Sequence, residues 1–279
     1  MLTVGALRDG DVGDALALSA REGWNQTAAD WSRLTRLDPG GCFAARHRGR
    51  LVATVTVTTH GTALAWIGMM VVHADYRRQG IGAALMDRAL RYARDRGVAV
   101  VKLDATPAGR PLYESLGFAA EAALERWHGV ARRLNGSTPN LAAGDAAAIA
   151  LLDAAAYGAD RSGLLRALAH DAIGGLLVAR SEGQPVGYAL ARPGREAIYI
   201  GPIVVTVRTA ATDLLDALLG RLGGAAVCLD HHAGSHLPTS ALDDRGLTRR
   251  RTLLRMRLGP HRTPGTPPSI CASAGPEVG

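Results

Sequence analysis

Two blocks of similar apolar and polar patterning follow one another along this chain. In the first, Cys42–Ala45 and Leu51–Val55 are short apolar runs flanking the polar Arg48-Gly49-Arg50, which predicts two strands joined by a tight turn. A longer apolar run, Trp66–Val72, predicts a central strand and gives way to the polar turn His73–Gly82. From Ala83 the period changes. Leu85, Ala89 and Leu90 share one face while Arg88 and Arg91 point to solvent, the pattern of an amphipathic helix. A further strand at Val101–Asp104, a helix running to Gly117 and a closing strand complete the block.

The second block repeats this order. Leu176–Ala179, Glu182-Gly183-Gln184 and Pro185–Ala189 read as another hairpin. Tyr199–Val205 echoes Trp66–Val72, Val227–Asp230 echoes Val101–Asp104, and Arg245-Gly246-Leu247 echoes Leu116-Gly117-Phe118. Four matches in one order predict tandem copies of one α/β domain with a mixed sheet. The polar, turn-rich Arg132–Asn140 reads as a linker. The expected organisation is residues 1–133, residues 134–259, and a Pro/Gly/Ser/Thr-rich tail, 260–279, expected to be disordered.

The candidate chemistry lies where the first central strand meets its helix. A strand, an arginine- and glycine-rich turn and a helix N-terminus together aim free backbone N–H groups at one point, which suits a pyrophosphate. Gly80 and Gly82 allow close approach of its oxygens. A dinucleotide fingerprint would need a third glycine where Leu85 stands, and no Gly-Lys-Ser/Thr phosphate loop occurs. The second copy differs at this place. Its segment Thr206–Leu215 lacks both glycines and is shorter, so only the first copy is expected to hold the nucleotide.

With Arg77, Gly80 and Gly82 in one loop and Tyr113, Gly117 and Phe118 ending a later helix, the first copy resembles the GCN5-related N-acetyltransferases (GNATs). The whole resembles tandem members with a degenerate second domain. The resemblance implies a mixed-sheet GNAT fold and acetyl-CoA as co-substrate. It implies contacts to that co-substrate from the strand edge Met70, Val71 and Val72, from the loop Arg77, Arg78, Gln79, Gly80, Ile81, Gly82 and Ala83, and from Thr106 and Arg110. Thr106 stands where the family often has Asn. Tyr113 is implied as the acid that protonates the leaving thiolate, since a phenol keeps its proton at neutral pH. Asp104, His73 and His128 are candidate bases, each with an equally simple structural role. The segment Glu22–Thr27 with Asp30-Trp31 is a candidate acceptor wall, although Trp24 and Trp31, seven apart, equally suit a helix core face. Asp230, His231, His232 and His236 are weighed as a metal cluster and set aside, because the first copy has no counterpart.

Composition narrows the function further. At 279 residues and 47% hydrophobic, the chain can fill two domain cores. No stretch of about 18 apolar residues predicts a membrane span. Three isolated cysteines, Cys42, Cys228 and Cys271, and the lack of a basic-then-apolar opening predict a reduced, cytoplasmic protein. The charge of +7 comes almost entirely from dispersed arginine, Lys102 being the one lysine. With aromatics at 4%, stacking platforms for nucleic acid are not expected. The expected function is acetyl transfer from acetyl-CoA to a small primary amine. Other acyl groups, a hydroxyl acceptor or a CoA-binding sensor without turnover are the alternatives.

Overall fold

Both hairpins turn on a pair of left-handed residues: Arg48 and Gly49 hold φ of 50° and 80°, Glu182 and Gly183 hold 50° and 79°. Such turns match the twist of the strands they join, and their recurrence marks the two blocks as copies of one unit. The computed structural model describes residues 1–132, 141–260 and 265–279. Most of the linker expected at 132–140 lies outside the described residues.

The first copy runs β1 (Leu2–Ala6), α1 (Val12–Arg21), α2 (Ala28–Leu37), β2 (Cys42–His47), β3 (Arg50–His60), β4 (Leu64–Val72), α3 (Ile81–Asp95), β5 (Val100–Ala105), α4 (Arg110–Ser115) and β6 (Ala119–Val130). The second runs β7 (Leu141–Gly144), α5 (Ala146–Tyr157), α6 (Ser162–His170), β8 (Leu176–Ser181), β9 (Gln184–Arg192), β10 (Ile198–Val205), α7 (Arg208–Arg221), β11 (Ala226–His232), α8 (Thr239–Asp243) and β12 (Thr248–Leu258). The strands and one more, β13 (Ile270–Ala272), form a single mixed sheet in the order β1-β2-β3-β4-β5-β12-β6-β11-β13-β10-β9-β8-β7. Alternate residues feed opposite faces. Cys42 and Ala44 pack with Trp31, Ile149 and Leu164 beneath α1, α2, α5 and α6. Phe43 and Ala45 pack with Leu85, Met86 and Ala89 of α3, and α7 and α8 cover the same side of the second copy. Among the described residues no helix is long and apolar enough to cross a membrane.

The two copies exchange their closing strands. β12 of the second copy lies between β5 and β6 of the first, and β6 pairs with β11 of the second from Ala226↔Val130 to His232↔Leu124. Charged pairs cross the exchange. Asp104 on β5 receives Arg255 on β12 at 2.9 and 3.1 Å, and Asp230 on β11 receives Arg126 on β6 at 2.7 and 2.5 Å. Each copy's sheet is completed by the other, so the sequence boundary near residue 133 does not divide the sheet.

The closing segment corrects the expectation of disorder. Residues 265–279 are ordered against the sheet, and Ile270, Cys271, Ala272, Ser273 and Glu277 are buried. In the second copy β10 and β11 pair only at Ile198↔Val227 and Tyr199↔Cys228 and then part. β13 fills the gap, pairing Ala272 with both Ile203 and His231 and Ile270 with Val204. Small residues are what a strand wedged there requires: a Cβ at Gly201 would lie 2.0 Å from the Ser273 carbonyl oxygen. The backbone hydrogen bonds so formed replace the apolar burial that composition alone would demand.

Candidate active site

The equivalent gap in the first copy is where the site lies. β4 and β5 pair at Leu64↔Val100, Ala65↔Val101 and Trp66↔Lys102 and then diverge. Beyond Trp66, β4 carries a bulge: Thr54 faces Val71 and Thr56 faces Gly68, while Met69 sits at φ 49°. The Thr54 hydroxyl donates to the Met69 carbonyl at 2.7 Å and holds that kink. A bulge bends its strand and frees backbone groups from the ladder. Here it leaves Met70 to Val72 along the open gap.

At the end of β4 the chain passes through Arg78, at φ 60°, and Gly80, at φ 77°, into α3. No side chain caps this helix, so its first amides keep the unpaired character of a helix N-terminus. At Gly82 a Cβ would lie 3.2 Å from the Met70 Cε and 3.5 Å from Leu112, so a larger side chain there would press on the cavity wall. Arg77 is held in place: its Nε donates to the Val72 carbonyl at 2.9 Å and its guanidinium pairs with Glu22. Arg78 has no hydrogen bond or ion pair among the described residues.

Turn, strand edge and α4 surround one cavity of about 660 Å³, within the size range of ligand pockets. It brings together Met70, Val71, Val72, Arg77, Arg78, Gly80, Gly82, Ala83, Thr106 and Tyr113. Gln79, Ile81 and Arg110 do not line it. The Gln79 amide donates to the Asp75 carbonyl, the Ile81 side chain is buried in the α3 core, and Arg110 pairs with Glu114 on the surface. Thr106 caps the turn into α4 through its hydroxyl, which accepts from the Gly109 amide at 3.2 Å. Tyr113 is buried against Phe118, with ring centroids 6.1 Å apart, and Gly109 leaves room for its ring. Its hydroxyl makes no hydrogen bond among the described residues. Burial pushes that phenol up to about 12.

The candidate bases fall in three different settings. Asp104 lines the cavity, but both its oxygens are occupied by Arg255. The His73 ring is engaged by Arg21 at 2.6 Å and by the Asp75 amide. His128 lies on β6 outside the cavity, its basicity lowered by burial and then by the neighbouring Arg126, Arg250 and Arg251. The opening segment divides: Glu22, Trp24 and Gln26 line the cavity, whereas Trp31 is fully buried and donates to the Ser19 hydroxyl. The polar residues of β11 serve the copy interface. Asp230 receives Arg126 and Tyr199, His232 Nε2 bonds the Ser273 hydroxyl, and His231 Nε2 bonds the Leu237 carbonyl.

Among the lining residues not anticipated from sequence, four come from distant segments: Arg251 and Leu253 of β12, and Pro276 and Glu277 of the closing segment. The strand exchange brings the first pair and the course after β13 the second. Glu277 is itself anchored, pairing with Arg192 and accepting from the Gln26 amide at 2.7 Å.

Comparison with known proteins agrees with this architecture. The Acetyltransferase (GNAT) family model matches residues 14–118, and a second model, of an Acetyltransferase (GNAT) domain, matches residues 149–269. The uncharacterized N-acetyltransferase YitH of Bacillus subtilis is 23% identical over 218 residues, 76% of either chain. An assumed acetyltransferase from Pyrococcus horikoshii superposes with a TM-score of 0.86 at 21% identity, covering 100% of this chain and 96% of that one. A tandem GNAT protein from the clavulanic acid biosynthesis pathway superposes with a TM-score of 0.61 at 18% identity, covering 94% and 100%. With two matched domains, one in each half of a shared sheet, this chain is a tandem-domain acyltransferase of the GNAT superfamily, a family whose acyl donor is acetyl-CoA.

Proposed function

We propose that the first copy transfers the acetyl group of acetyl-CoA to the amine of a small molecule by direct attack on the thioester. The observation that carries this reading is one continuous cavity joining the uncapped α3 N-terminus, the bulged β4 edge and the unbonded Tyr113 hydroxyl. The amides from Arg78 to Ala83 and the Arg78 guanidinium receive the diphosphate. The β4 edge at Met70–Val72 pairs with the pantetheine amides. A main-chain N–H at the bulge polarises the thioester carbonyl, a contribution of about 3 kcal/mol in comparable oxyanion sites.

Tyr113 donates its hydroxyl hydrogen to the departing sulfur as the C–S bond breaks, and the proton shed by the attacking nitrogen passes through water to restore the phenol. The burial that holds the proton on the phenol acts equally on a thiolate in the same cavity. Donor and leaving group are therefore shifted in the same direction. The attacking amine need not meet a dedicated base. An α-amine of pKa about 8 is about one tenth neutral at pH 7, at a cost of about 1.4 kcal/mol, whereas a lysine-like amine costs about 4.6 kcal/mol. Trp24, Gln26, Pro276 and Glu277 wall the side of the cavity away from the turn, which favours a small acceptor over a folded protein. The second copy is structural in this reading, because β13 fills the gap that acetyl-CoA would need.

The test is thiol release from acetyl-CoA across an amine panel, with products identified by mass, beside equilibrium binding of CoA. Amide products are expected, and Gly82→Val is expected to abolish CoA binding by filling the turn. Ester products alone, CoA bound without turnover, or undiminished binding by Gly82→Val would each overturn the corresponding part.

A further inference from the structure

β12 enters the sheet through a bulge that separates three consecutive arginines. Arg249 faces Trp127 and Arg251 faces Arg126, leaving Arg250 unmatched between them. Cross-strand neighbours share a face, so Arg249 and Arg251 point to opposite sides of the sheet. On its side Arg249 donates to Glu125 at 2.6 Å. Arg251 joins the row of Leu253 and Arg255. Leu254 and Met256, on the other row, pack towards α3, so Arg251 lies across the sheet from the phosphate-binding turn.

Arg251 lines the cavity yet has no hydrogen bond or ion pair among the described residues. The nearby acids are already committed. Both oxygens of Asp230 accept from Arg126 and one also from Tyr199. Of the carboxylates lining the cavity, Glu22 pairs with Arg77, Asp104 with Arg255 and Glu277 with Arg192. Burial and the charge of Arg126 lower the basicity of Arg251, which fits a cation without a counter-ion. A bulge at a site rim that re-aims a side chain is a recurrent device. Arg251 is exposed on the cavity wall, and a free guanidinium there favours a planar or tetrahedral oxyanion.

We infer that Arg251 receives an anionic group of the acceptor, so that the acceptor is an amine also bearing a carboxylate or a phosphate. This rests on the acetyl-transfer reading above, and it assigns to the second copy a residue that selects the substrate of the first.

The test uses pairs that differ in that charge, alanine against alaninamide and phosphoethanolamine against ethanolamine, with rates compared at equal neutral-amine concentration because the anion also raises the amine pKa. Binding to the CoA-loaded protein and turnover with acetyl-CoA are both measured. The charged member of at least one pair is expected to bind and react about tenfold better, and which pair shows it separates carboxylate from phosphate. Arg251→Gln is expected to erase that preference and Arg251→Lys to keep part of it, with the KM for acetyl-CoA unchanged in both. No preference in either pair, or a preference that survives Arg251→Gln, overturns the inference. A raised KM for acetyl-CoA in Arg251→Gln would overturn it by placing the guanidinium on the donor. If the charge preference holds in binding while no amine is acetylated, it is the acetyl-transfer reading that fails.

Discussion

The indole N–H of Trp66 donates to the carbonyl of Pro276 at 3.0 Å, a contact between residues 210 apart in the chain. It fastens the closing segment to the base of the gap in β4. Beside it, Gly68 has no room for a side chain: a Cβ there would lie 2.4 Å from the Glu277 carbonyl oxygen and 2.7 Å from its Cα. Gly68→Val is therefore expected to push the segment away and to cost about 1–3 kcal/mol by overpacking. Urea unfolding of the variant measures this, and an unchanged midpoint would mean that the segment does not rest there.

Tyr113→Phe removes a hydroxyl that bonds nothing among the described residues. Its melting temperature should match that of the parent, while kcat falls about 10²-fold, the lower end of acid–base contributions. Full activity from pH 6 to 9 would show that the hydroxyl plays no part in thiolate departure.

Asp104 and Arg255 join the first copy to the exchanged strand of the second with both side chains buried. Removing one partner strands a charge. Asp104→Asn should destabilise by about 3–5 kcal/mol, whereas Asp104→Leu combined with Arg255→Met should recover much of the loss. A double-mutant cycle in denaturant reads the coupling, and additive effects would show that the pair contributes little across the exchange.

His60 is buried with no partner for its Nε2, and burial, followed by the charge of Arg161, lowers its pKa to about 4. The unfolded chain binds the proton near pH 6.5. Between these values the unfolded state carries more protons, so the stabilisation present above pH 6.5 is lost as pH falls towards 4. His232, deeply buried beside Arg255, shifts in the same direction. Stability measured from pH 7 to 4 should decline, and His60→Gln should flatten part of that decline. An identical slope in the variant would show that His60 binds its proton alike in the folded and unfolded chain.

How far the site can be read without coordinates depends on the range of the interactions that build it. The turn from β4 into α3 is local: a β-branched strand, residues that tolerate positive φ and an amphipathic helix declare themselves within about twenty positions. Gly80 and Gly82 accordingly occupy the places expected of them, whereas Ile81 turns its side chain into the core, as its position in the first helical turn dictates. The structural role weighed for Asp104 beside that of a base involves a residue 151 positions away. Nothing near Asp104 in sequence announces Arg255.

Local patterning determined the repeat, the two hairpins with their left-handed turn pairs, the α/β class and the glycine-containing turn into α3, because each rests on periodicity and on φ preferences of neighbouring residues. Tertiary structure alone decided the exchange of β6 and β12, the seating of β13 between β10 and β11, and the meeting of Arg251, Pro276 and Glu277 around the first copy's cavity. These depend on backbone hydrogen bonds and buried charge pairs between distant segments. Such pairings leave no period in the sequence, so a tail of small and polar residues resembles a disordered one until the gap that accepts it is seen.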